Sequence, residues 1–143
     1  MSPDVGEAEA IARALERLEL SDTTPARASL VSRLDPPGGA YYLVVIGEPS
    51  AALGIAAVDA SSGEVTQWAT LPGADPHLLL DRETAIERTG ASSALRAELV
   101  WRSSPASRSP LYPLWEIDTG DKVVYVDHAG HVWSSLEAGA RGG

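Results

Sequence analysis

Residues 58–65 read Val58-Asp59-Ala60-Ser61-Ser62-Gly63-Glu64-Val65, a sequence typical of a tight turn between two β-strands. A carboxylate at the start of such a turn accepts hydrogen bonds from backbone N–H groups two residues further on, and glycine tolerates the positive φ angle that follows. Related sequence recurs at residues 126–132, Val-Asp-His-Ala-Gly-His-Val, with one residue fewer before the glycine. Asp59 and Asp127 are therefore predicted to form turns rather than to act as ligands or acid–base groups.

Two further pairs of segments match in the same order. Residues 28–33 share the pattern Ala-x-Leu-Val-x-Arg with residues 97–102. Residues 41–46 share Tyr-x-Leu-x-x-Ile with residues 112–117. Each match is weak alone, because apolar alternation recurs in any strand, but three matches in one order indicate an internal duplication.

Each half of the chain begins with a predicted helix. In the first half, apolar residues at helical spacing follow a possible capping box of Asp4 and Glu7, which predicts a helix over residues 5–19. In the second half, Asp81 is the predicted N-cap of a helix over residues 81–89, and Gly90 stands where a left-handed C-cap residue belongs. Turn residues then separate the predicted strands, which are residues 27–34, 40–47, 52–59 and 64–68 in the first half and 95–102, 111–118, 122–127 and 131–134 in the second.

The predicted fold class is α+β, with two repeated helix-plus-antiparallel-meander units forming one compact domain. The first unit spans residues 4–69 and the second spans residues 81–136. A linker rich in proline and glycine occupies residues 70–80, and residues 137–143 are predicted to form a flexible tail. The two sheets are expected to join edge to edge, with packing of the sheets and their helices around a shared core as the alternative.

A helix followed by strands that end in Val-Asp-Ala-x-x-Gly-Glu-Val resembles the PepSY domain family. Residues 58–65 carry this resemblance most clearly, so the first unit resembles the family more closely than the second, which keeps only Val126, Asp127 and Gly130. The chain thus resembles a tandem PepSY-like protein. The resemblance implies a non-catalytic domain of the kind found beside or within peptidases and regulatory membrane proteins, with inhibitory or binding roles.

The composition excludes several classes of function. The formal net charge of −9 and the lack of a Lys/Arg cluster argue against nucleic acid as a partner. No apolar run approaches the roughly 18 residues of a membrane span, and no secretory signal is visible, so a cytoplasmic protein without a membrane partner is predicted. The absence of cysteine excludes disulfides, thiolate metal sites and cysteine nucleophiles.

The sequence contains no recognisable catalytic or cofactor motif. Neither Gly-x-Ser-x-Gly nor a phosphate-binding glycine loop occurs, so no catalytic residue and no cofactor are predicted. His128 and His131, beside Asp127, could ligate a divalent metal, but their spacing across a tight turn favours solvated side chains and no metal site is predicted. Alternation along the predicted strands favours a solvent-exposed sheet face for Glu98 and Glu116 over a pocket.

Aromatic side chains concentrate in the second half of a chain that lacks phenylalanine. They either pack in the core or form a partner-binding face rimmed by arginine, and the sequence leaves both interpretations open. The Ser/Pro-rich residues 103–110 are similarly either a flexible hairpin loop, which is favoured, or a recognition segment. The candidate partner-binding residues are Trp101, Arg102, Arg108, Tyr112, Trp115 and Trp133.

These observations predict a non-catalytic protein- or peptide-binding module with a regulatory or inhibitory role. The partner would lie on a sheet face or along an exposed edge strand, and a homodimer is the simplest version. The alternative is a small-ligand-binding protein or an enzyme with a pocket between sheet and helices, involving Glu116, Tyr112 and Arg102.

Overall fold

The computed structural model describes residues 5–35, 37–48, 51–71 and 81–136. Within these ranges it contains two helices and eight strands, which confirms the predicted α+β class. The chain divides into two compact units between His77 and Leu78. Each unit has one helix followed by four strands.

The first unit is a four-stranded antiparallel sheet with one helix packed on it. Neighbouring strands along the chain pair with each other, so the sheet order is β4-β3-β2-β1. The elements are α1 (Glu7–Arg17), β1 (Ala26–Leu34), β2 (Pro37–Glu48), β3 (Ala51–Asp59) and β4 (Val65–Thr70).

Helix α1 buries its small apolar face against the sheet. Ala10 and Ala14 are fully buried and belong to a cluster that includes Tyr42 and Val44 of β2. The Tyr42 hydroxyl donates a hydrogen bond of 2.8 Å to the carbonyl of Val5, which satisfies the polar end of a buried ring. This hydrogen bond links Val5, two residues before α1, to β2.

The predicted capping box at the start of α1 is wrong. The N-cap is Gly6, with no side-chain cap, so Glu7 is the first helical residue rather than the third. Asp4 lies outside the described residues. The apolar spacing predicted the helix correctly, but a polar residue three positions before a glutamate does not by itself set the helix start.

The second unit has the same order of elements. Its helix begins and ends as predicted, because the Asp81 carboxylate accepts a 2.7 Å hydrogen bond from the N–H of Thr84 and Gly90 has a φ of 83°. The sheet order is β5-β6-β7-β8, again antiparallel throughout. The elements are α2 (Arg82–Arg88), β5 (Arg96–Trp101), β6 (Leu114–Asp118), β7 (Val123–Val126) and β8 (Val132–Trp133).

Several predicted boundaries are wrong. Helix α1 is shorter than the predicted residues 5–19, and β2 begins at Pro37 rather than at residue 40, because Pro37 already lies opposite Leu34 of β1. Strand β6 begins at Leu114 rather than at residue 111, because Pro110 and Pro113 cannot donate to a ladder and the chain makes turns there instead. The predicted linker of residues 70–80 begins too early, since Thr70 belongs to β4 and Leu71 still bonds to Leu53 of β3. The rest of that linker, residues 72–80, and the predicted tail lie outside the described residues.

Neither α1 nor α2 is long and apolar enough to cross a membrane, and no other helix occurs in the described part of the chain.

Candidate functional site

Both predicted aspartate turns are present, and Asp59 forms the first. Its Oδ1 atom accepts hydrogen bonds from the N–H groups of Ser61 at 2.8 Å and Ser62 at 2.9 Å. These donors, that of Ser62 above all, hold the pKa of the Asp59 carboxyl below its ordinary value. Gly63 follows with a φ of 77°, so the turn leads directly into β4.

Asp127 forms the second turn and also holds a tryptophan. Its Oδ1 atom accepts hydrogen bonds from the N–H groups of Ala129 and His131, at 3.0 and 2.9 Å. Its Oδ2 atom accepts the indole N–H of Trp133 at 2.9 Å. The buried carboxylate is therefore occupied on both oxygens, and it fixes one of the candidate partner-binding side chains in place.

The other two tryptophans among the candidate residues also make internal contacts. The indole N–H of Trp101 donates to the hydroxyl of Ser107 at 3.3 Å. Trp115 packs against the apolar cluster around Ile86 and Ile117, where α2 meets its sheet. Both side chains are half-buried.

The strand register places Trp115 and Trp133 on opposite faces of the sheet. Trp115 lies opposite Val126, on the face that packs against α2. Glu116 lies opposite Tyr125, which in turn lies opposite Trp133, and successive residues of a strand point to alternate faces. Trp115 and Trp133 therefore do not share a surface, and the structure favours the interpretation of these rings as structural.

The remaining candidate residues lie in or beside the loop between β5 and β6. Tyr112 contacts the ring of His128, with centroids 4.7 Å apart, and its carbonyl accepts a 2.6 Å hydrogen bond from Ser107. Arg102 is half-buried and Arg108 is exposed. The structure brings Trp101 and Tyr112 together through Ser107, and it does not assemble the six candidate residues into one patch.

The Ser/Pro loop is folded rather than open. Ser104 and Ser107 are buried, and each donates its backbone N–H to the carbonyl of the other, at 3.0 and 3.1 Å. The flexible hairpin loop predicted for residues 103–110 is therefore corrected to a compact loop, because the serine hydroxyls and the short bridge satisfy its backbone.

The predicted exposure of Glu116 is wrong. Its residue surface is only 9% exposed, and Oε1 lies 2.8 Å from a guanidinium nitrogen of Arg96. Arg96 also pairs with Glu98, which lies directly opposite Glu116 in the ladder. One cation between two facing carboxylates offsets the repulsion that like charges have at this position.

The neighbouring Tyr125 completes this cluster. Burial raises the pKa of the Tyr125 hydroxyl, and the charge of Glu116 and a hydrogen bond to it raise that pKa further. The cluster thus supplies each buried polar group with a partner, which is the arrangement that a structural ion pair requires.

No group of three or more metal-ligating side chains occurs in the described ranges. His128 and His131 are exposed, and Nδ1 of His131 lies 3.6 Å from Oδ2 of Asp127.

A cleft of about 480 Å³ opens in the first unit, between α1 and the turn that joins β3 to β4. Its lining is mostly charged, whereas small-molecule sites are mostly apolar. Glu116, Tyr112 and Arg102, on which the predicted pocket depended, are not among its residues. The lining residues are Arg13, Glu16, Arg17, Glu19, Ser62, Gly63, Glu64 and Val65.

Strand β4 forms an exposed edge beside this cleft. It pairs with β3 and has no second neighbour among the strands of the described chain. Its sequence, Val-Thr-Gln-Trp-Ala-Thr, carries no charge and no proline. Trp68 is 47% exposed, and the Arg17 guanidinium carbon lies 4.5 Å from the centre of its ring. A long uncharged edge of this kind is a template for a further strand.

The ladder determines which backbone groups of β4 point outward. The N–H of Leu71 donates to the carbonyl of Leu53 at 2.9 Å, which makes these two residues a hydrogen-bonded pair. Hydrogen-bonded and non-hydrogen-bonded pairs alternate in an antiparallel ladder. Trp68 and Thr70, opposite Ala56 and Gly54, are therefore in non-hydrogen-bonded pairs, and their N–H and C=O groups point away from β3. Trp68, with its exposed ring, and Thr70 together form the β4 edge.

A register shift limits the β4 edge on one side. Ala57 lies opposite Gln67, but Val58 lies opposite Val65, so Thr66 is the extra residue of a β-bulge. The regular outward-facing part of the strand therefore begins after Thr66. The sequence indicates an exposed edge strand in general terms but does not locate it, because a strand predicted over residues 64–68 shows neither its pairing nor its bulge.

The chain matches no family model, no curated protein and no solved structure in the comparisons made with each.

Proposed function

We propose that this protein is a non-catalytic protein- or peptide-binding module that accepts an extended segment as an additional strand along β4. The observation that carries the proposal is the β4 edge, where the backbone groups of Trp68 and Thr70 point outward from an exposed and uncharged strand. Strand addition needs such a row of unpaired main-chain donors and acceptors.

The binding energy would come from the backbone and from one aromatic anchor. Two outward residues offer two donors and two acceptors, and a net hydrogen bond contributes about 0.5–1.5 kcal/mol. Trp68 adds a large apolar surface, and the Arg17 cation over its ring restrains the ring before binding. Tryptophan is enriched among the residues that dominate interface energies.

Two further features support the same location. Strand β8, which ends the meander of the second unit, has only two residues, and short edge strands discourage pairing. In addition, the hairpin of residues 58–65 that resembles the PepSY family leads directly into β4, and that resemblance implies a non-catalytic binding role.

Proline at Thr70 gives a selective test. The N–H of Thr70 points outward, so Thr70→Pro removes a donor from the β4 edge without removing a bond to β3. Thr70→Val is the matched control, because it keeps the N–H and a β-branched side chain. A library of linear peptides would be selected on the full chain, and binding of the selected peptides measured by calorimetry.

We expect the selected peptides to bind the wild-type and Thr70→Val proteins equally and the Thr70→Pro protein at least about tenfold more weakly, a change of about 1.4 kcal/mol. Peptides that bind all three proteins with equal affinity would show that the β4 edge is not the binding surface. Circular dichroism and urea denaturation of each variant establish that it is folded.

A further inference from the structure

The strand that best fits the β4 edge is β4 itself. We infer that the protein pairs with a second copy of its own chain through antiparallel β4 strands related by a two-fold axis that passes at Ala69. This inference rests on the proposed function, since it names the occupant of the same edge.

The position of the axis follows from the ladder. The bulge at Thr66 ends the regular part of the strand, so the regular edge runs from Gln67 to Leu71 and has Ala69 at its centre. A two-fold axis there places Trp68 of each copy opposite Thr70 of the other. Their outward N–H and C=O groups then form two hydrogen-bonded pairs, with four backbone hydrogen bonds in all. A closed two-fold interface of this kind stops at a dimer.

The lack of charge on β4 favours a second copy of the chain over a strongly charged peptide. No residue of β4 is ionisable, so two copies face each other without a like-charge pair, and an acidic or basic peptide finds no countercharge on the strand itself. The side chains that do face each other, tryptophan and threonine, are of the types that stabilise strand pairs.

The net charge of the protein predicts the sign of the salt dependence. Two copies carry −9 each, so long-range repulsion opposes the dimer and added salt screens that repulsion. Dimerisation should therefore strengthen with salt, whereas capture of a cationic segment by the same acidic protein would weaken.

The chain offers a direct test because it has no cysteine. Ala69→Cys introduces a single thiol at the proposed axis, where the two Cα atoms would be about 4.5 Å apart, within the range that a disulfide spans. Gln67→Cys is the matched control, on the same face of the same strand. In the proposed register the two copies of residue 67 are separated by four residues along the strands, roughly 14 Å, which is too far for a disulfide.

Both variants would be oxidised by a glutathione redox buffer, and non-reducing electrophoresis would give the disulfide-linked fraction. Sedimentation equilibrium of the wild-type, Thr70→Pro and Thr70→Val proteins, at low and high salt, gives the dimer affinity without a cross-link. We expect Ala69→Cys to form the linked dimer at least about tenfold faster than Gln67→Cys, and Thr70→Pro added to Ala69→Cys to abolish that difference. We also expect Thr70→Pro, but not Thr70→Val, to remove the dimer in sedimentation.

Equal linking rates for the two cysteine variants, or a protein that stays monomeric at about 1 mM, would overturn the inference. The proposed function would survive that result if peptides still bound the wild-type protein and not the Thr70→Pro protein. A dimer that Thr70→Pro leaves intact would instead contradict the pairing of β4 strands, and the peptide measurements would then decide the proposed function separately.

Discussion

Asp59 and Asp127 occupy similar turns, but the two carboxylates differ in what depends on them. Asp59 is partly exposed, and among the described residues its carboxylate accepts hydrogen bonds from Ser61 and Ser62 of its own turn. Asp127 is 6% exposed and, in addition to its turn, holds the Trp133 indole. The sequence predicts the turn-forming role of both aspartates, because each precedes a glycine in a tight-turn pattern. The hydrogen bond between Asp127 and the Trp133 indole depends on a side chain six residues away, and a turn pattern does not predict it.

Removal of the Asp127 carboxylate should destabilise the second unit. Asp127→Ala leaves two backbone N–H groups and the Trp133 indole without their acceptor, and we expect a loss of about 2–4 kcal/mol in the free energy of unfolding. Urea denaturation measures this loss. Asp121→Ala, which removes the same charge from an exposed turn position, should cost less than about 0.5 kcal/mol. Equal losses would show that Asp127 has no structural role.

The pKa of Asp59 predicts a dependence of stability on pH. Because its pKa is lower in the folded protein than the ordinary value of 3.8, ionised Asp59 stabilises the fold above that pH, and this contribution is lost as pH falls through the folded pKa. The stability difference between wild type and Asp59→Asn should therefore shrink below about pH 4. Urea denaturation from pH 7 to pH 3 tests this, and a difference that stays constant or grows on acidification contradicts it.

The pairing of β5 with β6 shows how a strand pair tolerates two facing carboxylates. Glu98 and Glu116 are directly opposite, and Arg96, two residues before Glu98 on the same face, pairs with both. The two glutamates are not equivalent, since the side chain of Glu116 is 12% exposed and that of Glu98 is 44% exposed. The Arg96 guanidinium is itself half-exposed, so solvent weakens both ion pairs.

This asymmetry predicts unequal effects of two alanine variants. Glu116→Ala removes the buried partner of Arg96 and Tyr125, and we expect it to lower the free energy of unfolding by about 1–3 kcal/mol. Glu98→Ala is the matched control and should cost less than about 0.5 kcal/mol. The pKa of Tyr125, followed by NMR, should fall in Glu116→Ala but stay above its ordinary value, because burial is the larger cause of its shift.

At the scale of elements, the sequence predicts both helices and the order of all eight strands in the described ranges. It does not predict which face of each strand is buried. Alternation states that Glu116 and Trp115 point in opposite directions. Which of the two side chains is buried depends on where α2 packs and on which residues of β5 and β7 lie opposite. The sequence of β6 alone determines neither. The sequence therefore predicts an exposed face for Glu116, and it leaves open whether Trp115 and Trp133 pack in the core or share a binding face.

The two units end their meanders differently, and this difference places the candidate site. Strand β4 presents six uncharged residues, whereas β8 consists of Val132 and Trp133 alone. The sequence indicated strands in both places and an exposed edge as a possible binding surface. It could not show that the backbone N–H and C=O groups of Trp68 and Thr70 point outward. That depends on which pairs of the ladder are hydrogen-bonded, as the Leu71 to Leu53 bond determines, and on the bulge at Thr66.

Amide hydrogen exchange along β4 tests the central claim most directly, because the claim concerns individual backbone N–H groups. In dilute protein, the amides of Gln67 and Ala69 should be protected by their bonds to β3, and those of Trp68 and Thr70 should exchange rapidly. When a strand binds, either from a selected peptide or from a second copy at high concentration, Trp68 and Thr70 should become protected while Gln67 and Ala69 change little. The account would be contradicted if Trp68 and Thr70 were already as protected as their neighbours in dilute protein, or if they stayed unprotected when the partner was bound.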